Sequence, residues 1–418
     1  MSKDFTLICT HCGNRLPKVT FDYLCPLCAE KQKPNTPPIG VMKTLYDYEA
    51  VKRKYPNNLF EKLSENKFID LLPIDSSASL GPLKVGETPL YEFNMDDEDG
   101  HKLQFFLKDD SQNPTFSFKD RASQLVSAYA REQGIDTIVA ASTGNAGSSL
   151  AGICASQGQK AIIMVPKTAP AAKLLQIVMY GAELVMVNGN YDAAFDLSLL
   201  ATKHFGWFNR NTAYNPFTIE GKKTVSFEIF HQLNGVIPSR IFISVGDGVI
   251  ISGVYKGFED LLELGIISKM PTIVAVQSDK SDNLVRNMSN NNFEMKPATT
   301  LADSISVDYP RNFHMAIYFL KKYGGEWLTV PDEEIVQAAS TLAKNTGIFA
   351  EPAAAAAMAG MLKYTRISQN KNLGSMLVLS TGSGLKDIKT PLQSIKLPEP
   401  LEPSIEALTA YLSKIQQL

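Results

Sequence analysis

The sequence predicts an α/β fold of parallel-type sheets flanked by helices, with a small metal-binding module at its N-terminus. Three observations carry this. From about residue 103, short β-rich runs alternate with longer segments of 3.6-residue periodicity. The runs IVAA, AIIMV, ELVMV, IFISV, TIVAVQ and MLVLS are apolar but for single residues, mostly at their ends, as expected of parallel strands covered by helices on both faces. Finally, Cys9-x2-Cys12 and Cys25-x2-Cys28 lie as two close pairs, twelve residues apart, within the first thirty positions.

Each CxxC aims two thiolates at one point, and two such knuckles close a tetrahedral four-sulfur shell with no open position, which predicts a structural zinc ribbon. Two disulfides are the alternative in an oxidising compartment, and a redox CxxC does not ordinarily come as a matched pair. Cys154, alone in SLAGICAS, reads as a core residue. After the ribbon, KQKPNTPPIG reads as a joint, followed by a helical arm, LYDYEAVKRKYP. Four strand–helix units follow: IDTIVAAS with GNAGSSLAGICASQG, KAIIMVP with PAAKLLQIVMYG, AELVMV with YDAAFDLSLLATKHFG, and RIFISV with GVIISGVYKGFEDLLELG. Two more helices are expected over PDEEIVQAASTLAKNTG and the Ala-rich AAAAAMAGMLKYT, and the tail predicts a Pro-punctuated linker and one amphipathic helix packed on the body.

Composition narrows the partners. With 41 Lys and Arg against 43 Asp and Glu in 418 residues, no net basic field points to nucleic acid or an anionic membrane. No apolar run reaches the roughly 20 residues that span a bilayer, and the first residues lack a secretory signal pattern. The expectation is a soluble, cytoplasmic protein with a small-molecule partner.

In open α/β sheets ligands bind beyond the carboxyl ends of the strands. Four such places are unusual here. In Asn113-Pro114-Thr115-Phe116-Ser117-Phe118-Lys119-Asp120-Arg121, Lys119 stands where a helix begins, and a crowded apolar turn would depress its pKa, as imine formation or proton transfer requires. A surface lysine at a helix start is the plain alternative. Ser142-Thr143-Gly144-Asn145-Ala146-Gly147 offers backbone and side-chain donors for a carboxylate or phosphate, or is only a capped turn. Ser244-Val245-Gly246-Asp247-Gly248-Val249-Ile250 repeats that design for a phosphate, on condition that Asp247 points away or binds a cation. Ser380-Thr381-Gly382-Ser383-Gly384 is the fourth. No GxGxxG in the first unit supports a dinucleotide.

Together with YGAELVMVNGNYDAA, YNPFTIEGKKT, GIFAEPAAAA and STGSGLKD, these segments resemble the successive motifs of the threonine synthase branch of fold type II pyridoxal-phosphate enzymes, from the ribbon to about residue 388. The resemblance implies a ribbon over 1–35, an arm and the first part of a large cofactor domain over 36–120, a small α/β domain over 121–214, the rest of the large domain over 215–395, and a linker and helix over 396–418. It also implies a homodimer. Lys119 would carry pyridoxal 5'-phosphate as an imine and move the substrate's protons. Asn145 would bond the ring hydroxyl, Gly246, Asp247, Gly248, Val249 and Ile250 would hold the phosphate, and Thr381 would face the ring nitrogen. Ser142, Thr143 and Gly144 would take the substrate carboxylate, and Glu351 would lie close to the ring or simply open its helix.

The activity implied is release of phosphate from O-phosphohomoserine with formation of threonine. For that second phosphate, Lys173, Asn211 and Thr212 match the family's positions. Thr218, however, stands where the family has arginine, with Lys222 or Lys223 downstream as compensation; Phe116 replaces a glycine and Ser383 a histidine. These departures leave open an ammonia-lyase on serine or threonine, or a β-replacement enzyme on an O-phosphoserine-like substrate. A binding protein on an inactive scaffold is opposed by the intact Lys119 and Asn145.

Overall fold

The computed structural model describes residues 5–17, 23–96, 100, 102–290, 292–368, 373–392 and 398–415. The expected boundary at 395–396 lies outside them. At the N-terminus β1 (Phe5–Cys9) pairs antiparallel with β2 (Arg15–Leu16) and β3 (Met42–Tyr46). Next come β4 (Leu90–Asp96) and β5 (Lys102–Asp109), an antiparallel pair. Then β6 (Thr137–Ala141), β7 (Lys160–Pro166), β8 (Glu183–Val187) and β9 (Phe208–Asn209) form a parallel sheet in the order β8-β7-β6-β9. Finally β10 (Arg240–Ser244), β11 (Thr272–Ser278), β12 (Glu326–Val330) and β13 (Met376–Ser380) join the earlier pair in a six-stranded sheet, β12-β11-β10-β13-β5-β4, parallel except for β4.

The continuous apolar strands of the large sheet are explained by cover on both faces. Ile241, Ile243, Ile273, Ala275, Leu377 and Leu379 pack into one core with Val254, Phe258 and Leu261 of helix Val249–Glu263. Phe242, Val274, Val276 and Val378 pack into the other, against Ala353–Ala357 of helix Pro352–Ile367. The alanine run lets that helix approach closely: a Cβ on Gly360 would lie 2.3 Å from Val276.

The tail departs from expectation. Helix Ile405–Ile415 forms, but Ile405, Leu408 and Leu412 are exposed, so its apolar stripe is not packed on the body. Among the described residues no helix is long and apolar enough to cross a membrane.

Candidate active site

Lys119 opens helix Lys119–Glu132 from the turn beyond β5, and the motif around it is mostly scaffolding. Asp120 accepts from the Thr115 amide at 2.7 Å and from its hydroxyl. Asn113 accepts from the Gly86 amide at 2.9 Å and donates to Asp110. Arg121 turns away into a buried network, pairing with Asp110 and Glu228 at 2.5 Å each; Lys108 meets Glu228 at 2.7 Å. Lys119 is thereby aimed into the cleft while its neighbours hold the turn.

Backbone bonds lace three sequence-distant segments around this lysine. Phe118 donates its amide to the Thr381 carbonyl at 2.9 Å, Ser383 to Phe116 at 3.1 Å, and Glu351 to Gly382 at 3.1 Å. Phe116 sits at φ +68°, a left-handed conformation that explains why glycine suits this position. Its ring is half-exposed and lines the cleft mouth.

Two cavities meet here, sharing Ser304, Glu351 and Ala353. The inner one is lined by Lys119, Thr212, Lys222, the loop 244–251 and Thr381. The outer one, about 500 Å³, is lined by Phe116, Thr143, Gly144, Asn145, Lys173 and Lys386 among others. Gly248, at φ +86°, ends the loop as the N-cap of helix Val249–Glu263, whose first-turn amides and dipole favour an anion. The Asp247 carboxylate accepts from the Arg311 amide at 3.1 Å, and its charge is felt by Lys119 and Lys222 in the same cavity.

The inner cavity carries two buried lysines, Lys119 and Lys222, with Arg210 close behind Lys119. Burial pushes the Lys119 amine below the usual lysine range; Arg210 pushes the same way, against Glu351 and Asp247. Arg210 is fully buried and lowered to about 10 by desolvation; it donates to Ser123, to Thr212 at 2.8 Å and to the Lys119 carbonyl, with no carboxylate among these partners. The Lys222 amine nitrogen is buried with no hydrogen-bond partner among the described residues, and burial, reinforced by Arg210 and Lys119, pushes its pKa well below the usual lysine range. Such a group is costly unless a ligand pairs it, so the residues suit a phosphate-bearing aldehyde cofactor that would fill the inner space of about 60 Å³ and reach into the adjoining outer cavity: Lys119 for the aldehyde, the 246–250 loop for the phosphate, Thr381 for the ring.

Most of the expected residues meet at this cleft. Asn145 donates to both Glu351 oxygens at 2.9 and 3.1 Å; Glu351 is 2% exposed, and burial raises its pKa. Thr143 and Gly144 line the outer cavity, while Ser142 accepts from the Gly144 amide at 3.3 Å. Lys173 pairs with Asp303 at 2.8 Å across the mouth. Asn211, by contrast, has both ends of its amide engaged, accepting from Ala141 and donating to Ser198 at 2.7 Å each, away from both cavities. Thr218 is fully buried and donates to the Asn215 carbonyl. Of the two compensating lysines only Lys222 reaches the site; Lys223 is consumed by Glu220 and Asp260.

Sequence reasoning missed Arg210, which no local signal marks, and Lys386, which the STGSGLKD segment contains. Lys386 donates to Ser148 at 2.8 Å and to Gln176, and burial lowers its pKa to about 8.

In the ribbon, the four thiols lie within 4.8 Å of one another, with Cys9–Cys28 and Cys12–Cys25 sulfurs 3.6 Å apart. Tetrahedral zinc with Zn–S near 2.3 Å needs about 3.8 Å, so the donor set fits that ion. Strand β3 ties the ribbon to the body: Lys43 pairs with Glu259 at 2.8 Å, and Tyr46 donates to Glu220 at 2.7 Å.

Two sheets with a desolvated lysine at their junction, facing a glycine loop at a helix N-terminus, define the fold type II class of aldehyde-cofactor enzymes. The pattern of the pyridoxal-phosphate dependent enzymes matches residues 82–382, and the chain belongs to that family. It is 33% identical over 382 residues to a threonine synthase of Methanocaldococcus jannaschii, covering 90% of this chain and 94% of that protein. It is 30% identical over 410 residues to a threonine synthase of Methanosarcina acetivorans, covering 97% and 98%. Among solved structures, threonine deaminase isoform 2 of Solanum lycopersicum matches the fold with a TM-score of 0.61 at 20% identity, covering 90% of this chain and 98% of that one.

Proposed function

We propose that this enzyme is a lyase of the threonine synthase type, converting O-phosphohomoserine and water to threonine and phosphate. The observation that carries the reading is the outer cavity, where Lys173 and Lys386 face a mouth that opens onto Lys119. Lys386, and Lys173 once a dianion displaces its Asp303 partner, suit a substrate whose far end is a phosphate, and the turn Ser142–Gly144 beside them suits its carboxylate. The cofactor, when bound, would supply an electron sink for charge developing at the substrate Cα and Cβ. Lys119 removes the Cα proton and then a Cβ proton. Lys173 and Lys386 balance the phosphate charge as it leaves Cγ. The two protons taken by Lys119 return to Cγ, which becomes the methyl group, and to Cα, while water adds its hydroxyl at Cβ and its remaining proton goes to the released phosphate. The likeness to the named threonine synthases supports the same reading. A homodimer and a cytoplasmic location accompany it, the first from the family resemblance and the second from the sequence.

A second reading, an ammonia-lyase or β-replacement enzyme, is favoured by Thr218, whose hydroxyl is spent on a backbone carbonyl instead of reaching a phosphate. A substrate panel with product identification decides between them. O-phosphohomoserine should release phosphate and form threonine in equal amounts. If it is inert while serine or threonine yields a 2-oxo acid, or O-phosphoserine a replacement product, the second reading stands.

The ribbon is proposed to hold one structural zinc ion. Metal analysis should find about one zinc per chain, and chelation should lower the melting temperature while turnover per folded molecule persists. Loss of turnover with the melting temperature unchanged would contradict a structural role.

A further inference from the structure

A buried lysine without a partner is unusual, and this one lies beside the proposed phosphate loop. Lys222 closes helix Phe217–Lys222, which packs across helix Val249–Glu263 at a point where only a missing side chain permits contact: a Cβ on Gly253 would lie 2.6 Å from the Lys222 Cβ. The approach places Lys222 on the inner cavity with Gly246, Asp247, Gly248, Val249 and Ile250.

The carboxylates near it do not satisfy it. Asp247 lines the cavity but accepts from the Arg311 amide, Glu351 accepts from Asn145, and Glu220 is taken by Tyr46 and Lys223. The Lys222 nitrogen has no hydrogen-bond partner among the described residues. The other cations have duties: Arg210 is bonded to Ser123, Thr212 and the Lys119 carbonyl, and Lys119 is needed for the aldehyde. A helix N-terminus supplies only about half a positive charge, whereas a phosphate monoester near neutral pH carries about −1.5 to −2.

We propose that Lys222 is a specificity determinant for the cofactor's phosphate, its ammonium pairing with the phosphate dianion held by the 246–250 loop. The proposal rests on the reading of the inner cavity as the cofactor site, and it explains why a buried amine without a partner is retained where an apolar side chain would be cheaper: it takes up a proton as the dianion binds beside it. Lys222 selects the phosphorylated aldehyde over the bare one.

The test uses full-length protein stripped of cofactor, titrated with pyridoxal 5'-phosphate and with pyridoxal, comparing wild type, Lys222→Met and Lys222→Arg by imine absorbance. Loss of one charge-assisted bond predicts that Lys222→Met binds pyridoxal phosphate about 10- to 100-fold more weakly, with pyridoxal affinity unchanged and Lys222→Arg close to wild type. Inorganic phosphate should raise the melting temperature of the stripped wild type but not of Lys222→Met. Unchanged pyridoxal-phosphate affinity in Lys222→Met, or an equal loss for both aldehydes, overturns the proposal.

If Lys222→Met does not fold, phosphorus NMR of the wild-type holoenzyme decides. A resonance unmoved between about pH 5 and about pH 8 reports a phosphate kept as the dianion, as the pairing requires, and one that titrates like the free cofactor overturns the pairing. Borohydride trapping with peptide mapping separates the underlying reading. Label on a lysine outside the cavity sinks the cofactor site itself, and label on Lys222 overturns only its assigned role.

Discussion

Lys119→Ala is expected to lose covalent cofactor attachment and turnover together, with activity falling by about 10³-fold or more, because one amine serves as the cofactor's anchor and as the base. The fold should persist. The residue's structural bonds run through its backbone, the amide donating to Ser117 and the carbonyl accepting from Arg210, and the substitution keeps both. Burial lowers the wild-type amine's pKa, so the stripped enzyme should capture the aldehyde half-maximally at a pH below the ordinary lysine value of about 10.4. Borohydride reduction followed by peptide mapping, alongside turnover, is the check. A variant that is still labelled in the cleft and still turns over would remove Lys119 from the chemistry.

Arg121→Ala is expected to be the most damaging change to stability, costing about 3 to 5 kcal/mol, because it strands two buried carboxylates. Arg121 is 2% exposed and bridges Asp110 and Glu228, leaving Lys108 alone to face the Glu228 charge. Burial would raise the Glu228 pKa, but Arg121 and Lys108 hold it at about 2 against an ordinary 4.5. A depressed carboxylate contributes stability that is full above about 4.5 and lost as pH falls through about 2. In the variant that loss should begin at higher pH. Urea unfolding from neutral to acid pH measures both effects, and a cost below about 1 kcal/mol would place the network among the weak surface pairs.

The strands and long helices were legible because burial on both faces leaves an unbroken apolar run, and the four cysteines because metal geometry demands that spacing. The glycine and hydroxyl turns were legible because strand ends are where α/β sheets bind ligands. Arg210 was not: β9 is only two residues long, and its pairing with β6, far from it in sequence, brings the arginine behind Lys119. Asn211 matched a motif, yet its amide ties the Ala141 backbone to the helix bearing Ser198, a bond that only the fold reveals. The exposed stripe of helix Ile405–Ile415 shows the converse, since an amphipathic pattern records a face suited to burial without saying what buries it.

The order of the strands carries a consequence for how the molecule is made. Strand β5 ends at Asp109, yet its parallel partner runs to Ser380, paired residue against residue from Phe106 with Leu377 to Asp109 with Ser380. The four-stranded sheet, contiguous in the chain, can assemble while synthesis is still under way, but the six-stranded one must keep a waiting edge until residue 380 has left the ribosome. The chamber around Lys119 is thus among the last features to close, and a nascent chain halted before residue 376 would carry the reactive amine without its enclosure.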